Sequence, residues 1–441
     1  MHAAVHSHTI RGENMKNLLT VAVTGALLGS VSVSAAVSDA EFAELKAQFA
    51  SMAERLSSLE AENNQLREQG TASVSQLEGA REELVSARQD IAMVKKQNTD
   101  TSWAERISVK GDFRYRYEEI DIEGADTRDR NRIRARSEMI AKLPDNVTVG
   151  LGIASGGDDP VSSNQTLGDG NSSKDLRLDL AYARWLPTEH IYIEAGKFKN
   201  PLFKPQKSGL LWDGDWRPEG FNVGWNSDHL FLTALVNWLE SDSRNGGDEV
   251  TWGVQGGLKF DIAGAGLTTA VGYYDIPVKG DTSFFDDDFY GNSFVVSNGE
   301  NVYEYDYQLL EVSAELAMAL FDIPLTFYGD FVQNQDPDDY DTGWIAGVTL
   351  GKAKGAGTWQ VGYQYEDLEA DAALGLVSDS DFAGGGTDGK GSRLTGAYGI
   401  NKQWTLGFTW YIDNEAGEKA FKNEGGALEY DRVMLDTVFK Y

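Results

Sequence analysis

The chain has 441 residues and a formal net charge of −30. Such an acidic composition argues against a nucleic-acid partner, because a phosphate backbone selects basic surfaces. The sequence contains no cysteine, which excludes disulfide bonds, thiolate catalysis and cysteine-ligated metal sites.

Residues 1–36 have the pattern of a short segment upstream of the expected translation start, followed by a secretory signal peptide. A positively charged region begins at Met15, the expected translation start, and an apolar stretch with small residues runs from Leu18 to Val33. Small residues up to Ala36 then provide a cleavage site. A membrane-anchoring helix is the alternative, but glycine, serine and threonine dilute the apolar stretch. The pattern predicts export from the cytoplasm.

Residues 37–98 are predicted to form an α-helical coiled coil. Core positions recur at alternating spacings of three and four from residue 42 to residue 94, as in a heptad repeat. Asn63 occupies an a position, where a buried amide commonly fixes register and strand number. The stretch 69–75 is the least stable part of the predicted coiled coil, because Gly70 and Ser73 stand at core positions in place of apolar residues. A helical hairpin that folds back at this stretch is the alternative. The predicted core includes Leu45, Leu56, Leu59, Asn63, Leu66, Leu77, Leu84 and Ile91.

After a linker at 99–105, residues 106–441 are predicted to form an all-β transmembrane barrel. About sixteen segments carry apolar residues at every second position, as in the last one, Tyr430–Tyr441. A period of two gives a strand two different faces. An apolar outer face and a polar inner face suit a barrel with lipid outside and water inside. Glycine is frequent on the inner faces, which leaves room for water or for a loop.

The connections between these segments alternate between short and long. Long ones include 119–130 and 367–391, and the short ones contain a few turn residues. Alternation of this kind is typical of a membrane barrel with tight periplasmic turns and long external loops. An even number of antiparallel strands places both barrel ends on the periplasmic side. The coiled coil is therefore expected in the periplasm.

The first two barrel strands are predicted to carry a cationic wall on the inner face of the pore. Basic residues alternate in both strands, and neighbouring antiparallel strands bring them together. One interpretation is a charged wall that controls ion passage, and the other is an ordinary salt-bridged barrel interior, which is compatible with the first. The predicted wall comprises Lys110, Arg114, Arg116, Arg132, Arg134 and Arg136.

The third long loop, Lys199–Pro218, is more apolar than an external loop in water should be. We expect it to fold into the barrel as a constriction loop, anchored by aromatic residues and lining the narrowest point with charges. An interfacial or subunit-contact loop is the alternative. The candidate constriction residues are Lys204, Lys207, Trp212, Asp213, Asp215 and Trp216.

Acidic residues cluster in several other loops, for example at 286–288, at 336–341 and at 366–381. We expect these clusters to be solvated and external. Bridging by divalent cations to anionic lipopolysaccharide is the sharper alternative, because oxygen-rich sites suit Ca²⁺ or Mg²⁺. No cluster has the spacing of an EF-hand, and no acid, base and nucleophile are grouped. We therefore predict no metal site, no cofactor, no catalytic residues and no enzymatic activity.

The signal peptide, the alternating strands, the third-loop position and the aromatic C-terminus together resemble Gram-negative outer-membrane porins. More narrowly, the chain looks like the porins that carry an N-terminal periplasmic coiled coil. The segment Ala195–Pro201 is also similar to phosphate-selective porins O and P. The resemblance implies a homotrimer of sixteen-stranded barrels with an inward-folded third loop. It also implies that Phe439 and Tyr441 form the C-terminal signal for the barrel-assembly machinery. It does not imply phosphate selectivity, because acidic residues are mixed into this third loop.

The sequence therefore predicts a passive diffusion channel for small hydrophilic solutes and ions in the outer membrane, in contact with lipid and lipopolysaccharide. A weak anion preference is expected, because charges in the pore outweigh loop charges that salt screens beyond roughly 8–10 Å. A structural tether is the alternative function. In that case the coiled coil, which we expect to trimerise and to reach towards peptidoglycan or another periplasmic partner, would be the working part.

Overall fold

The computed structural model describes residues 39–97, 103–241, 248–419 and 426–441. The predicted signal peptide and most of the predicted linker lie outside these ranges. The described residues divide into a helical unit and a barrel unit. Within them, no helix is both long enough and apolar enough to cross a membrane.

The helical unit contains one continuous helix, α1, Asp39–Gln97. A helix of 59 residues is about 90 Å long. It continues through Gly70, so the alternative of a helical hairpin is wrong. Within residues 69–75, the Thr71 hydroxyl donates a hydrogen bond to the Arg67 carbonyl at 2.7 Å, and the Ser75 hydroxyl donates one to the Thr71 carbonyl at 2.9 Å. The predicted core side chains Leu56, Leu59, Leu66, Leu77 and Leu84 are all exposed in the single chain, whereas those of Leu45 and Ile91 lie outside the described residues.

The barrel unit confirms the prediction of an all-β barrel of about sixteen antiparallel strands. Within the described residues, sixteen antiparallel strands form one closed barrel, because the first strand pairs with both the second and the last. The strands are β1 Ile107–Ile122, β2 Arg128–Lys142, β3 Val147–Ser155, β4 Leu176–Trp185, β5 Ile191–Lys197, β6 Glu219–Asn226, β7 Leu230–Glu240, β8 Glu249–Ile262, β9 Ala265–Ile276, β10 Tyr307–Leu320, β11 Ile323–Asn334, β12 Thr342–Gly351, β13 Trp359–Leu368, β14 Gly389–Gly399, β15 Trp404–Ala416 and β16 Leu428–Lys440.

The connections divide the barrel into a turn end, where β1 begins, and a loop end. The loop-end connections are numbered L1 to L8 in chain order. L1 is shorter than predicted, because β1 and β2 continue pairing to Ile120 and Arg128 and leave only residues 123–127 as the connection. Charged residues in this extension made it resemble a loop, although Ile120 is buried. L5 contains a small hairpin, Phe294–Ser297 with Glu300–Tyr303.

The two faces of the strands differ as predicted. Outward-facing Val109, Trp252, Val254 and Leu406 are exposed in the isolated chain, as expected for side chains that meet lipid. Inward positions hold buried polar groups such as Asn222, which is 0% exposed. The alternation in the sequence therefore separates a lipid-facing surface from a polar interior.

Glycines on the inner faces make room for tyrosine rings on neighbouring strands. Gly224 pairs directly with Tyr192, and a Cβ atom on Gly224 would lie 2.2 Å from two ring carbons of that tyrosine and 2.4 Å from its hydroxyl oxygen. Gly347 and Tyr328 form a second pair of this kind. Arg184 covers Tyr192, with its guanidinium carbon 4.1 Å from the ring centroid. Part of the space that glycine provides is thus filled by aromatic side chains.

We expect Gly224→Ala to destabilise the barrel, because the new methyl group would displace a ring that Arg184 holds in place. Overpacking of this kind costs about 1–3 kcal/mol. Urea unfolding of the purified protein, followed by the heat-modifiable mobility of the folded barrel in SDS gels, would measure the loss. Gly256→Ala is the matched control, because the nearest atom to its added Cβ is 3.6 Å away. An equal loss in both variants would contradict the glycine–tyrosine interpretation.

Candidate functional site

One side of the barrel interior is filled by apolar loops. L3 (198–218), L5 (277–306) and L7 (369–388) contribute buried side chains that pack in one cluster against inward-facing residues of β7 and β9 to β13. From L3 come Leu210 and Trp212, which are 0% and 5% exposed. From the strands come residues such as Tyr274 and Ile345. The open space in the barrel is therefore displaced towards the other wall.

L3 lies inside the barrel and is anchored by two tryptophans. Trp212 stacks on Trp216 with ring centroids 4.5 Å apart, and it meets Tyr274 of β9 edge-on at 5.2 Å. Gln255 of β8 accepts a hydrogen bond from the backbone N–H of Phe203 at 2.7 Å and donates one to its carbonyl at 2.9 Å. The two tryptophans thus act as anchors and belong to the apolar cluster.

The charged residues of L3 face different surroundings. Lys204 donates hydrogen bonds to the carbonyls of Trp212 and Asp213 at 2.7 and 3.3 Å, whereas Lys207 is exposed. Burial, with Asp379 nearby, raises the pKa of Asp213 to about 8. Burial also opposes ionisation of Asp215, but attraction by Arg136 outweighs it and lowers the pKa to about 2. Asp215 is therefore the L3 aspartate that carries a negative charge at neutral pH.

L7 is a second inward-folded loop, which the sequence interpretation missed. The prediction that its acids are solvated is wrong: Asp371 is 1% exposed, and Asp379 and Asp381 form ion pairs. The signal was the apolar stretch 372–377, which is buried and which acidic neighbours obscured. L7 is joined to L3, since the Asp213 N–H donates to the Val377 carbonyl at 2.7 Å.

The six basic residues of the predicted wall lie together on β1 and β2. Arg114 is directly opposite Arg134, and Arg116 is opposite Arg132. Like charges in such positions repel each other. The opposing position of Arg136 is instead taken by Asp112, and Lys110 lies towards the turn end, 3.3 Å from Glu138. The pairing register thus creates a dense row of cations that needs acids from elsewhere.

Those acids come from four different elements. On β1, Asp112 accepts hydrogen bonds from Arg134 and Arg136 at 2.8 and 2.9 Å. Glu118, also on β1, is fully buried and lies 2.5 Å from Arg130 of β2. The remaining three acids come from other parts of the chain. Asp436 of β16 lies 2.8 Å from Arg116, and Asp215 of L3 lies 2.6 Å from Arg136. Asp381 of L7 lies 3.0 Å from Arg116 and 2.9 Å from Arg432.

This cluster of arginines and acids separates two cavities that lie along the same wall. The turn-end cavity, about 550 Å³, is lined by residues that include Lys110, Asp112 and Arg136, together with part of L3. The loop-end cavity, about 420 Å³, is lined by residues that include Arg132 and Arg432 and by part of L7. Arg114, Arg116 and Arg134 occupy the stretch of wall between them.

The last residues close the seam of the barrel. The Gly111 N–H donates to the Tyr441 carbonyl at 3.0 Å, and the Tyr441 N–H donates to the Gly111 carbonyl at 3.1 Å. Phe439 stacks on Trp404 with ring centroids 5.1 Å apart. The aromatic end is thus paired with the first strand, on the outer surface of the barrel.

A solved porin structure shares this fold. OprB of Pseudomonas putida has a TM-score of 0.51 and 13% identity, and the match covers 79% of this chain and 97% of the OprB chain. At this identity the likeness concerns the fold alone.

Two further porin structures are similar to a lesser degree. OmpF of Salmonella typhi has a TM-score of 0.47 and 12% identity, and the match covers 76% of this chain and 97% of the OmpF chain. A variant of the Rh. blastica porin has a TM-score of 0.45 and 12% identity, and the match covers 76% of this chain and 100% of the variant's chain.

No curated protein matches the sequence. A family model described as "Putative porin" matches residues 122–286 and 282–439, which together span most of the barrel. The match begins at the last residue of β1 and ends within β16. The chain therefore belongs to this family of outer-membrane porins.

Proposed function

We propose that the protein is a passive diffusion channel for small hydrophilic solutes and ions, with a preference for anions. The observation that carries this proposal is the arrangement of the interior. Apolar loops fill one side, and two cavities lie along the opposite, cationic wall with an arginine-rich cluster between them. Solutes would pass along this wall, where rings and walls of charge set selectivity.

The membrane setting of the proposal follows from the chain topology. Both ends of the barrel chain lie at the turn end, which we assign to the periplasm. Helix α1 would then project into the periplasm and trimerise through its exposed leucines, with the assembled protein in contact with outer-membrane lipid and lipopolysaccharide. Assembly by the barrel machinery through Phe439 and Tyr441, and contact with peptidoglycan, are parts of the same proposal.

We expect the triple variant Arg132→Ala, Arg134→Ala, Arg136→Ala to lose anion preference. If each charge contributes about 0.5 kcal/mol, the chloride-to-potassium permeability ratio should fall about tenfold. Reversal potentials in a KCl gradient across a planar bilayer would measure it. A matched control removes three exposed helix arginines, Arg55, Arg67 and Arg81, and should leave the ratio unchanged. Absence of discrete conductance steps in the unmodified protein would refute the channel itself.

Asp381→Asn should have the opposite effect, because it removes the acid that L7 places against Arg116 and Arg432. One charge at about 0.5 kcal/mol corresponds to roughly a twofold increase in the same permeability ratio. Asp338→Asn is the control, since Asp338 is exposed in L6. A shift towards cations in Asp381→Asn would contradict a role for L7 in selectivity.

Helix trimerisation can be tested by cross-linking, since the natural chain contains no cysteine. Leu59→Cys, at a predicted core position, should give a trimer band with a three-armed maleimide reagent, because three core positions would meet at one axis. Ala61→Cys, on the predicted outer face two residues away, should cross-link weakly. Equal yields at both positions would argue against a coiled coil in the predicted register.

A further inference from the structure

We propose that the turn-end cavity is a binding site for a compact anion with two or more carboxylate or phosphate groups. This inference rests on the proposed channel function and goes beyond it, because a diffusion channel needs no saturable site. The carrying observation is a concentration of positive charge in one concave space of an otherwise strongly acidic protein.

The cavity holds more cations than its acids can neutralise. Seven basic and four acidic side chains line it, whereas the whole chain has a net charge of −30. Lys110 and Lys199 share a single carboxylate, that of Glu138, at 3.3 and 2.6 Å. Arg136 and Arg217 are paired with aspartates. Three of the four acids are thus already committed to four of the cations.

Three lysines in the cavity form no ion pair with a carboxylate of the described residues. Lys204 contacts backbone carbonyl oxygens. Lys207 and Lys440 have no carboxylate oxygen within 4.0 Å among the described residues. L3 supplies two of these lysines, and the end of β16 supplies the third. Charges arriving from different parts of the chain favour a ligand that carries more than one negative group.

A free hydrogen-bond donor gives independent support for a ligand. Asn200 lines the same cavity, and its Oδ1 accepts a hydrogen bond from the Leu202 N–H at 3.0 Å. This contact orients the side chain, while its Nδ2 is buried and has no acceptor among the described residues. A buried donor without a partner is costly, and a small shift of this amide towards the cavity would let a carboxylate or phosphate oxygen satisfy it. The volume of about 550 Å³ suits a small organic anion.

Isothermal titration of the full-length protein in detergent tests the site without requiring conduction. Citrate is the probe for carboxylates, pyrophosphate the probe for phosphates, and acetate the monovalent control, all at equal ionic strength. We expect saturable binding of citrate, pyrophosphate or both, and no saturable binding of acetate. Lys207→Gln with Lys440→Gln should weaken binding about fivefold, since two partly exposed charges are lost. No saturable binding of either polyanion would overturn the proposal.

Two further variants separate the site from general electrostatics. Lys352→Gln with Lys354→Gln removes the same charge from an exposed turn at the same end of the barrel, and should leave the affinity unchanged. Asn200→Asp keeps the acceptor for Leu202 but replaces the free donor with a negative oxygen, so it should abolish binding. An equal loss in the two lysine pairs would overturn the proposal. Conductance in KCl, measured separately, reports the channel function, so its failure is distinguishable from failure of the binding site.

Discussion

The arrangement of loops and open space inside this barrel depends on the burial of the apolar side chains of the loops. L3 and L7 carry residues such as Trp212 and Leu374 that are unfavourable in water, and the apolar patch on the inner wall from β7 to β13 gives them a place to pack. Because the loops occupy that side, the remaining space follows the opposite wall. The position of the two cavities along the charged wall is thus a consequence of apolar burial elsewhere.

The charged wall is stable because acids reach it from distant parts of the chain. Arginines that face each other across β1 and β2 would repel if left alone. Asp112 and Glu118 lie within the same strand, but Asp215, Asp381 and Asp436 come from L3, L7 and β16. Loop packing and wall chemistry are therefore coupled, since the loops that fill one side also deliver negative charge to the other.

Strand prediction succeeded where alternation was strong and failed where charge interrupted it. All sixteen strands follow from a period of two, because lipid and water demand different side chains on the two faces. The ends of β1 and β2 were missed because Glu119 and Asp129 look like loop residues, although their backbones pair. L7 was misjudged for the opposite reason, since its acids suggested solvent while its apolar stretch 372–377 is buried.

The sequence alone determined the two-part organisation, the strand number, the polar interior and the row of basic residues on β1 and β2, because these depend on local periodicity. The tertiary structure decided which acids neutralise each arginine, that L7 joins L3 inside the barrel, and that glycines receive tyrosine rings from neighbouring strands. These features depend on contacts between different strands and loops, from tens of positions apart, as for Gly224 with Tyr192, to hundreds, as for Arg116 with Asp436. Local patterns place side chains on a face, but only closure of the barrel and folding of the loops decide which faces meet.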